Sequence, residues 1–399
     1  MPSVPPSIQL PPTELFQPLD LGEVVTAFDA DLRAGRLASY RPAPLGFPLI
    51  DQCLGGGVRA EDLVLIGGMQ NLGKTVVALQ IARNLAVGGE VLPIMVCYEH
   101  SPRVLFHRLL CLESVAGAEE TAGGVTRAEI ERAVLDYYDQ VRAPAERQSL
   151  GLQWLLEHVP GVDRAWRRIR TYLPRLWLVR GDGLETTEDK LLEYVRMAQM
   201  LGFARVVLIV DYAQRVPLRP RLNGLHLDEL QRIDLVMRSL KSLAQQFGMP
   251  VLAVAAADAE GLRQQRVHFE NLWGSSTVQY EPDVALILNR DTVDAERGVR
   301  TVRVAIEKNR SGPSELEFRH CLDGAHFYLR PEGELVGADE SYQAERVTLR
   351  QQQATASADL ARLLENLLQR LDGAGAGSLP LLDQASVLAG PSRLNGGAA

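Results

Sequence analysis

Gly68-Met69-Gln70-Asn71-Leu72-Gly73-Lys74-Thr75 is the stretch on which the reading of this chain turns. Glycine, four free positions, glycine, lysine and threonine are the P-loop pattern, and the flanks supply the context that the pattern needs. The apolar run Leu63-Val64-Leu65-Ile66-Gly67 leads in as a strand, and Val76 to Leu85 leads out as a helix. Glycines let the backbone curl so that several amides point at one phosphate, and the helix N-terminus adds its dipole. Residues Gly68 through Thr75 are therefore expected to cradle a nucleoside triphosphate. Lys74 would reach the β- and γ-phosphates, and the Thr75 hydroxyl would join the shell of a Mg2+ ion.

Two carboxylates outside the loop extend this site. Val206-Val207-Leu208-Ile209-Val210 is a fully apolar run that ends in Asp211. An acid at the carboxyl end of a parallel strand stands where α/β sheets bind ligands, so Asp211 is expected to contact the magnesium ion. Its structural alternative is a helix cap or turn residue. Glu99 ends the run Val91 to Tyr98, the first strand after the P-loop helix. It should emerge beside the γ-phosphate, where a base or water-orienting group is needed. A solvated glutamate at a strand end is the alternative there.

Further out, the pattern alternates. Strands are expected at 63–66, 91–98, 176–179, 206–210, 251–256 and 284–288, with helices after Lys74, Glu188 and Ile233. Near-continuous apolar strands separated by helices predict an α/β fold with a mostly parallel central sheet covered on both faces. Runs at 301–309, 315–320 and 326–329, separated by Gly312-Pro313 and Asp323-Gly324, predict antiparallel hairpins that extend the sheet. Residues 100–175 read as a helical lobe. Three segments result: an arm at 1–42, a core at 43–335 and a C-terminal segment at 336–399.

The arm begins Pro-rich and extended. Leu21, Val24, Val25, Phe28 and Leu32 then share one face of a short helix that Gly35 stops. That stripe either packs on its own domain or docks on a neighbouring subunit. In the last segment Leu360, Leu363, Leu364, Leu367, Leu368 and Leu371 form a wide leucine stripe, for which intramolecular packing and partner docking both stand.

The net charge is −8 and the isoelectric point near 5.5, which excludes a chain coated in basic nucleic-acid-binding charge but not a local basic stripe. Lysine occurs only at Lys74, Lys190, Lys241 and Lys308, against an arginine-rich background, so each marks a place that wants a compact ammonium. The four cysteines are scattered and read as reduced thiols. No run approaches membrane-span length, and the prolines near Met1 do not form a secretory signal. A cytoplasmic protein is expected.

Taken in order, several segments resemble the C-terminal ATPase domain of the replicative DnaB-type helicases, hexamers of RecA-like fold. They are Leu45-Gly46-Phe47 with Asp51 and Gly55-Gly56-Gly57-Val58, the P-loop, Glu99, and Asp211-Tyr212-Ala213-Gln214. Arg238-Ser239-Leu240-Lys241-Ser242-Leu243-Ala244, Asn271-Leu272-Trp273-Gly274-Ser275-Ser276, Asp283 and Lys308-Asn309-Arg310-Ser311-Gly312-Pro313 follow. The match runs over about residues 43–330, and only the P-loop is specific by itself.

The resemblance implies ATP as substrate, a homo-oligomeric ring of six and single-stranded DNA as partner. It assigns Glu99 as the catalytic glutamate. It makes Lys308 and Arg310 cations inserted against a neighbour's γ-phosphate, where charge accumulates during transfer. It places Arg263, Arg266, Trp273, Ser275 and Ser276 in or near a nucleic-acid loop, with Trp273 able to stack on a base.

Three departures stand out. The family carries a large helical N-terminal domain, whereas about forty residues precede the core here. After the strand at Val251 the family has a glutamine that senses the γ-phosphate, and this chain has Ala256, which cannot hydrogen-bond one. Trp273 and Gly274 replace an arginine and a glutamate of the DNA loop. Two functions are therefore expected in competition: a ring motor on single-stranded DNA, or a regulatory ATPase whose nucleotide state controls assembly or a protein partner bound through the N-terminal arm or the C-terminal leucine-rich helix.

Overall fold

Six-residue runs with no polar side chain make the centre of this protein, because only a strand covered on both faces buries every side chain of such a run. The computed structural model describes residues 18–336, apart from residues 37, 119–122, 143, 219–227, 258–260, 265, 273–279 and 295–298. Trp273, Ser275 and Ser276, the proline-rich start of the arm and the leucine stripe thus lie outside the described residues.

In chain order the elements are α1 (Leu21–Arg33), α2 (Pro48–Cys53), β1 (Leu63–Gly68), α3 (Lys74–Gly88), β2 (Leu92–Cys97), α4 (Pro102–Val115), α5 (Arg127–Gln140), α6 (Pro144–His158) and α7 (Val162–Ile169). They continue with β3 (Trp177–Arg180), α8 (Glu188–Met200), β4 (Val206–Asp211), α9 (Glu229–Phe247), β5 (Val251–Val254), β6 (Val284–Asp294), β7 (Val299–Asn309), β8 (Leu316–Asp323) and β9 (Tyr328–Val336). Each expected strand is present, with ends displaced by one to several residues.

The strands form one sheet in the order β3-β2-β4-β5-β1-β6-β7-β8-β9. From β3 to β6 all neighbours are parallel, and from β6 to β9 the strands run as an antiparallel meander. β1, β2 and β4 are buried at every position. The meander instead alternates. On β8, Leu316, Phe318, His320 and Leu322 are buried, while Glu317, Arg319, Cys321 and Asp323 are half-buried. Gln80 of the P-loop helix α3 ties the meander to the core, its amide bonding the Leu329 carbonyl at 2.6 Å and accepting from the Leu329 amide at 2.9 Å.

The helical lobe comprises α4 to α7. It is joined to α3 by Glu113, a fully buried carboxylate that Arg83 grips at 2.6 and 2.8 Å and that accepts from the Tyr172 hydroxyl at 2.8 Å. α1 starts with a reciprocal cap between Asp20 and Glu23, but none of its residues is buried. Its apolar stripe stays exposed, with Phe28 meeting Tyr40 edge to face at 5.9 Å. The described residues of its own chain do not cover it.

Candidate nucleotide site

The carboxyl ends of β1, β2, β4 and β5 open into one cleft of about 570 Å³, within the range of small-molecule sites. It lies where strand order reverses: the chain leaves β1 and returns as β2 beyond β5 and β4. Gln70, Asn71, Gly73, Lys74 and Thr75 line it from the P-loop, Glu99 from the end of β2, Asp211 and Tyr212 from the end of β4, and Ala256 beyond β5. Met69 packs against the core and Leu72 is buried, so these two contribute backbone rather than side chain.

The local geometry follows from the loop's glycines. Gly68 and Gly73 adopt φ 139° and 85°, backbone that side-chain-bearing residues rarely take. Gly73 then caps α3, whose first residues are Lys74 and Thr75. The Lys74 ammonium donates to the Gly68 and Met69 carbonyls at 2.9 and 2.6 Å. Burial lowers its pKa, opposed by Asp211 and Glu99.

Asp211 is buried, and that burial raises its pKa, while hydrogen bonds from the Thr75 hydroxyl and the Cys97 thiol oppose the shift. The thiol stands 3.3 Å from Oδ2. A hydroxyl and a carboxylate in contact at the foot of the P-loop are hard oxygen donors, the set that a magnesium ion takes. The residues present fit that ion.

Four further residues belong to the cleft that the spacing of the sequence does not disclose: His100, Arg108, Arg300 and Phe327. Arg108 projects from α4, the helix that follows Glu99, and periodicity alone does not distinguish it from a surface arginine. Arg300 and Phe327 arrive through the meander, where Arg300 pairs with Leu322, and that register is invisible before the strands are paired.

Lys308 and Arg310 are not in this cleft. Lys308 is level with Ala285, and Asn309 with Val284, which itself is level with Val64 near the start of β1. Both cations therefore lie at the amino edge of the sheet, roughly 15 Å along the strands from their own P-loop. The Lys308 ammonium donates to the Tyr280 carbonyl at 3.1 Å, and Arg310 donates to the same carbonyl and to Asp283, the latter at 3.1 Å. Asp283 also accepts from the Leu63 amide at 2.8 Å and from Lys241 at 2.7 Å.

Of the residues expected to meet nucleic acid, two are described. Arg263 is exposed. Arg266 is half-buried and paired with Glu317 on the polar face of the meander, where Glu317 also faces Arg303 at 3.5 Å. The charge of Arg266 is thus answered within its own chain.

Sheet order and site together define a P-loop nucleotide-binding protein with a RecA-like fold. The chain belongs to the DnaB-like helicase C terminal domain family, whose model matches residues 43–144 and 181–321. Among its relatives, the replicative DNA helicase DnaC of Bacillus subtilis is 24% identical over 305 residues, covering 75% of this chain and 59% of that protein. The replicative DNA helicase DnaB of Geobacillus stearothermophilus is 23% identical, covering 68% of this chain and 52% of that one. The chain thus spans between half and three fifths of these relatives. Among solved structures, an isolated ATPase domain superposes with a TM-score of 0.59 at 18% identity, over 78% of this chain and 99% of that one. A DnaB-like replicative helicase solved for its interactions with primase gives 0.56 at 18% identity, over 78% of this chain and 67% of that one.

Proposed function

We propose that this chain hydrolyses ATP at interfaces between copies of itself arranged in a ring, as a motor on single-stranded DNA. One observation carries the reading: Lys74, Thr75, Glu99 and Asp211 share one cleft, whereas Lys308 and Arg310 occupy the opposite edge of the sheet. Cations so placed do not reach their own nucleotide, but a neighbour in a head-to-tail ring brings its own to the cleft. Family membership supports the same assembly.

Each residue then has a task. The P-loop amides and Lys74 bind the phosphate chain, and Arg108 adds a cation from the same subunit. Thr75 and Asp211 would hold a magnesium ion, which when bound neutralises the phosphate oxygens. Glu99 orients and deprotonates the attacking water, and Lys308 and Arg310 of the neighbour stabilise charge on the transferred phosphoryl group.

A second reading is favoured by two observations: the alanine at 256 beside the cleft, and the pairing of Arg266 with Glu317. Under it, the same site switches assembly or binding of a protein partner through the N-terminal arm or the C-terminal leucine-rich helix, and DNA plays no part. Steady-state ATP hydrolysis with and without single-stranded DNA, with Lys74→Ala as the blank, separates the two. Strong stimulation supports the motor. Lys74-dependent hydrolysis unmoved by DNA supports the switch, and its absence at every protein concentration removes both.

A further inference from the structure

Arg108 differs from the other arginines that hold this fold together. Arg83 is spent on Glu113, Arg266 on Glu317, Arg303 on Asp291 and Arg310 on Asp283. The Nη2 of Arg108 instead meets the Nε2 of His100 at 2.9 Å, and its guanidinium lies over the Phe327 ring, 4.9 Å from the centroid. Its Nε is buried and has no hydrogen-bond partner among the described residues. A guanidinium has donors only, so His100 must present a lone pair at Nε2 and carry its proton on Nδ1. A neutral acceptor and an aromatic face orient a cation without cancelling its charge. All three side chains line the nucleotide cleft, and His100 directly follows Glu99.

We propose that His100 is a positioning residue whose neutral imidazole accepts a hydrogen bond from Arg108 and aims its guanidinium at the terminal phosphate of the nucleotide. The inference rests on the nucleoside triphosphate reading of the cleft and names what sets the preference of that cleft for a triphosphate. The charged groups facing His100 are Arg108 on α4, Glu99 before it and Arg127 at the start of α5. Burial lowers the imidazole pKa, Arg108 and Arg127 act in the same direction, and Glu99 opposes them. The neutral acceptor is therefore the form present at neutral pH. It is lost only as pH falls through a value below the ordinary 6.5. Two donors then face each other and the contact opens.

The test uses the full chain with Mg2+. The affinities of fluorescent ADP and of a non-hydrolysable fluorescent ATP analogue are compared from acid to mildly alkaline pH for wild type, His100→Gln, His100→Ala, Arg108→Ala and Lys74→Ala. Arg108→Ala is expected to lower the preference for triphosphate over diphosphate about tenfold, and His100→Ala to follow it. His100→Gln keeps an acceptor oxygen that does not titrate, and should retain the preference throughout. Wild type should match the glutamine variant at alkaline pH and approach the alanine variant in acid. Phosphate ionisation is common to all variants, so the difference between wild type and His100→Gln isolates the imidazole. A His100→Ala protein with the wild-type preference overturns the proposal, as does a His100→Gln profile that overlays wild type. If binding is sensitive to Lys74→Ala but indifferent to His100, this inference alone falls. If no binding depends on Lys74, the nucleotide reading falls with it.

Discussion

A Cβ placed on Gly68 would stand 2.3 Å from the Leu288 carbonyl oxygen on the neighbouring strand, at a φ that alanine resists. Both the backbone conformation and the space therefore demand glycine at the first position of the loop. Gly68→Ala is expected to disturb β1 and β6 together and to abolish the rise in melting temperature that Mg-ATP produces in wild type. Glu99 stands in the other regime, exposed just past the end of β2. Glu99→Gln should fold normally and bind ATP with wild-type affinity. Its kcat should fall by about 10²- to 10⁴-fold, the span of general-base contributions. Unchanged turnover in that variant would remove Glu99 from the chemistry. Asp51 shows a third case, a residue of the resembling set with a structural task. Its carboxylate accepts from the Leu45, Gly46 and Phe47 amides at 2.7, 2.8 and 3.1 Å and shapes the entry into the core.

Among the elements, α3 and α4 are the pair that connects phosphate binding to the helical lobe. α3 begins with Lys74 and Thr75 and carries Arg83 near its far end, while α4 carries Arg108 and Glu113. Glu113 is fully buried, so removing it leaves the Arg83 charge and the Tyr172 hydroxyl without their acceptor. Glu113→Ala is expected to cost about 3–5 kcal/mol, read as a lowered urea midpoint. A loss below about 1 kcal/mol would mean that the lobe relaxes around the vacated charge. Elements of this kind were legible where one rule decided them. The runs at Leu63, Leu92 and Val206 are apolar throughout, which only a doubly covered strand tolerates. The meander was legible as three strands, but its length was not. β6 continues to Asp294 and β9 to Val336 because their polar residues face solvent or other charges across paired strands.

At the scale of the whole molecule, the placement of Lys308 and Arg310 leads to a complementation experiment. Lys74→Ala and Arg310→Ala should each hydrolyse ATP poorly alone. Mixed, they should recover part of the activity, because an intact P-loop of one variant then meets an intact arginine of the other. Absence of recovery in mixed oligomers would place the arginine outside the neighbour's site. The exposed stripe of α1 belongs to this scale as well. Leu21→Asp with Phe28→Asp is expected to lower the oligomer mass at fixed concentration, measured by light scattering, while leaving the melting temperature of the core unmoved. An unchanged mass would detach α1 from assembly.

The sequence by itself determined the phosphate site and the order of the sheet's parallel strands along the chain. Those depend on short-range physics: glycines where amides must converge, a lysine and threonine at a helix start, and a carboxylate ending an apolar strand. Even the identity of the scarce lysines was informative, since Lys74 and Lys308 stand at opposite edges of the sheet, with Lys241 on Asp283. Only the tertiary structure decided which distant charges meet. That Arg266 is answered by Glu317, that Arg310 rests on Asp283, and that Arg108 faces a neutral histidine are facts of register and packing. Side-chain charge is written in the sequence, but whether a charge remains available to a ligand depends on its neighbours in space, and strand pairing between residues far apart in the chain sets those neighbours.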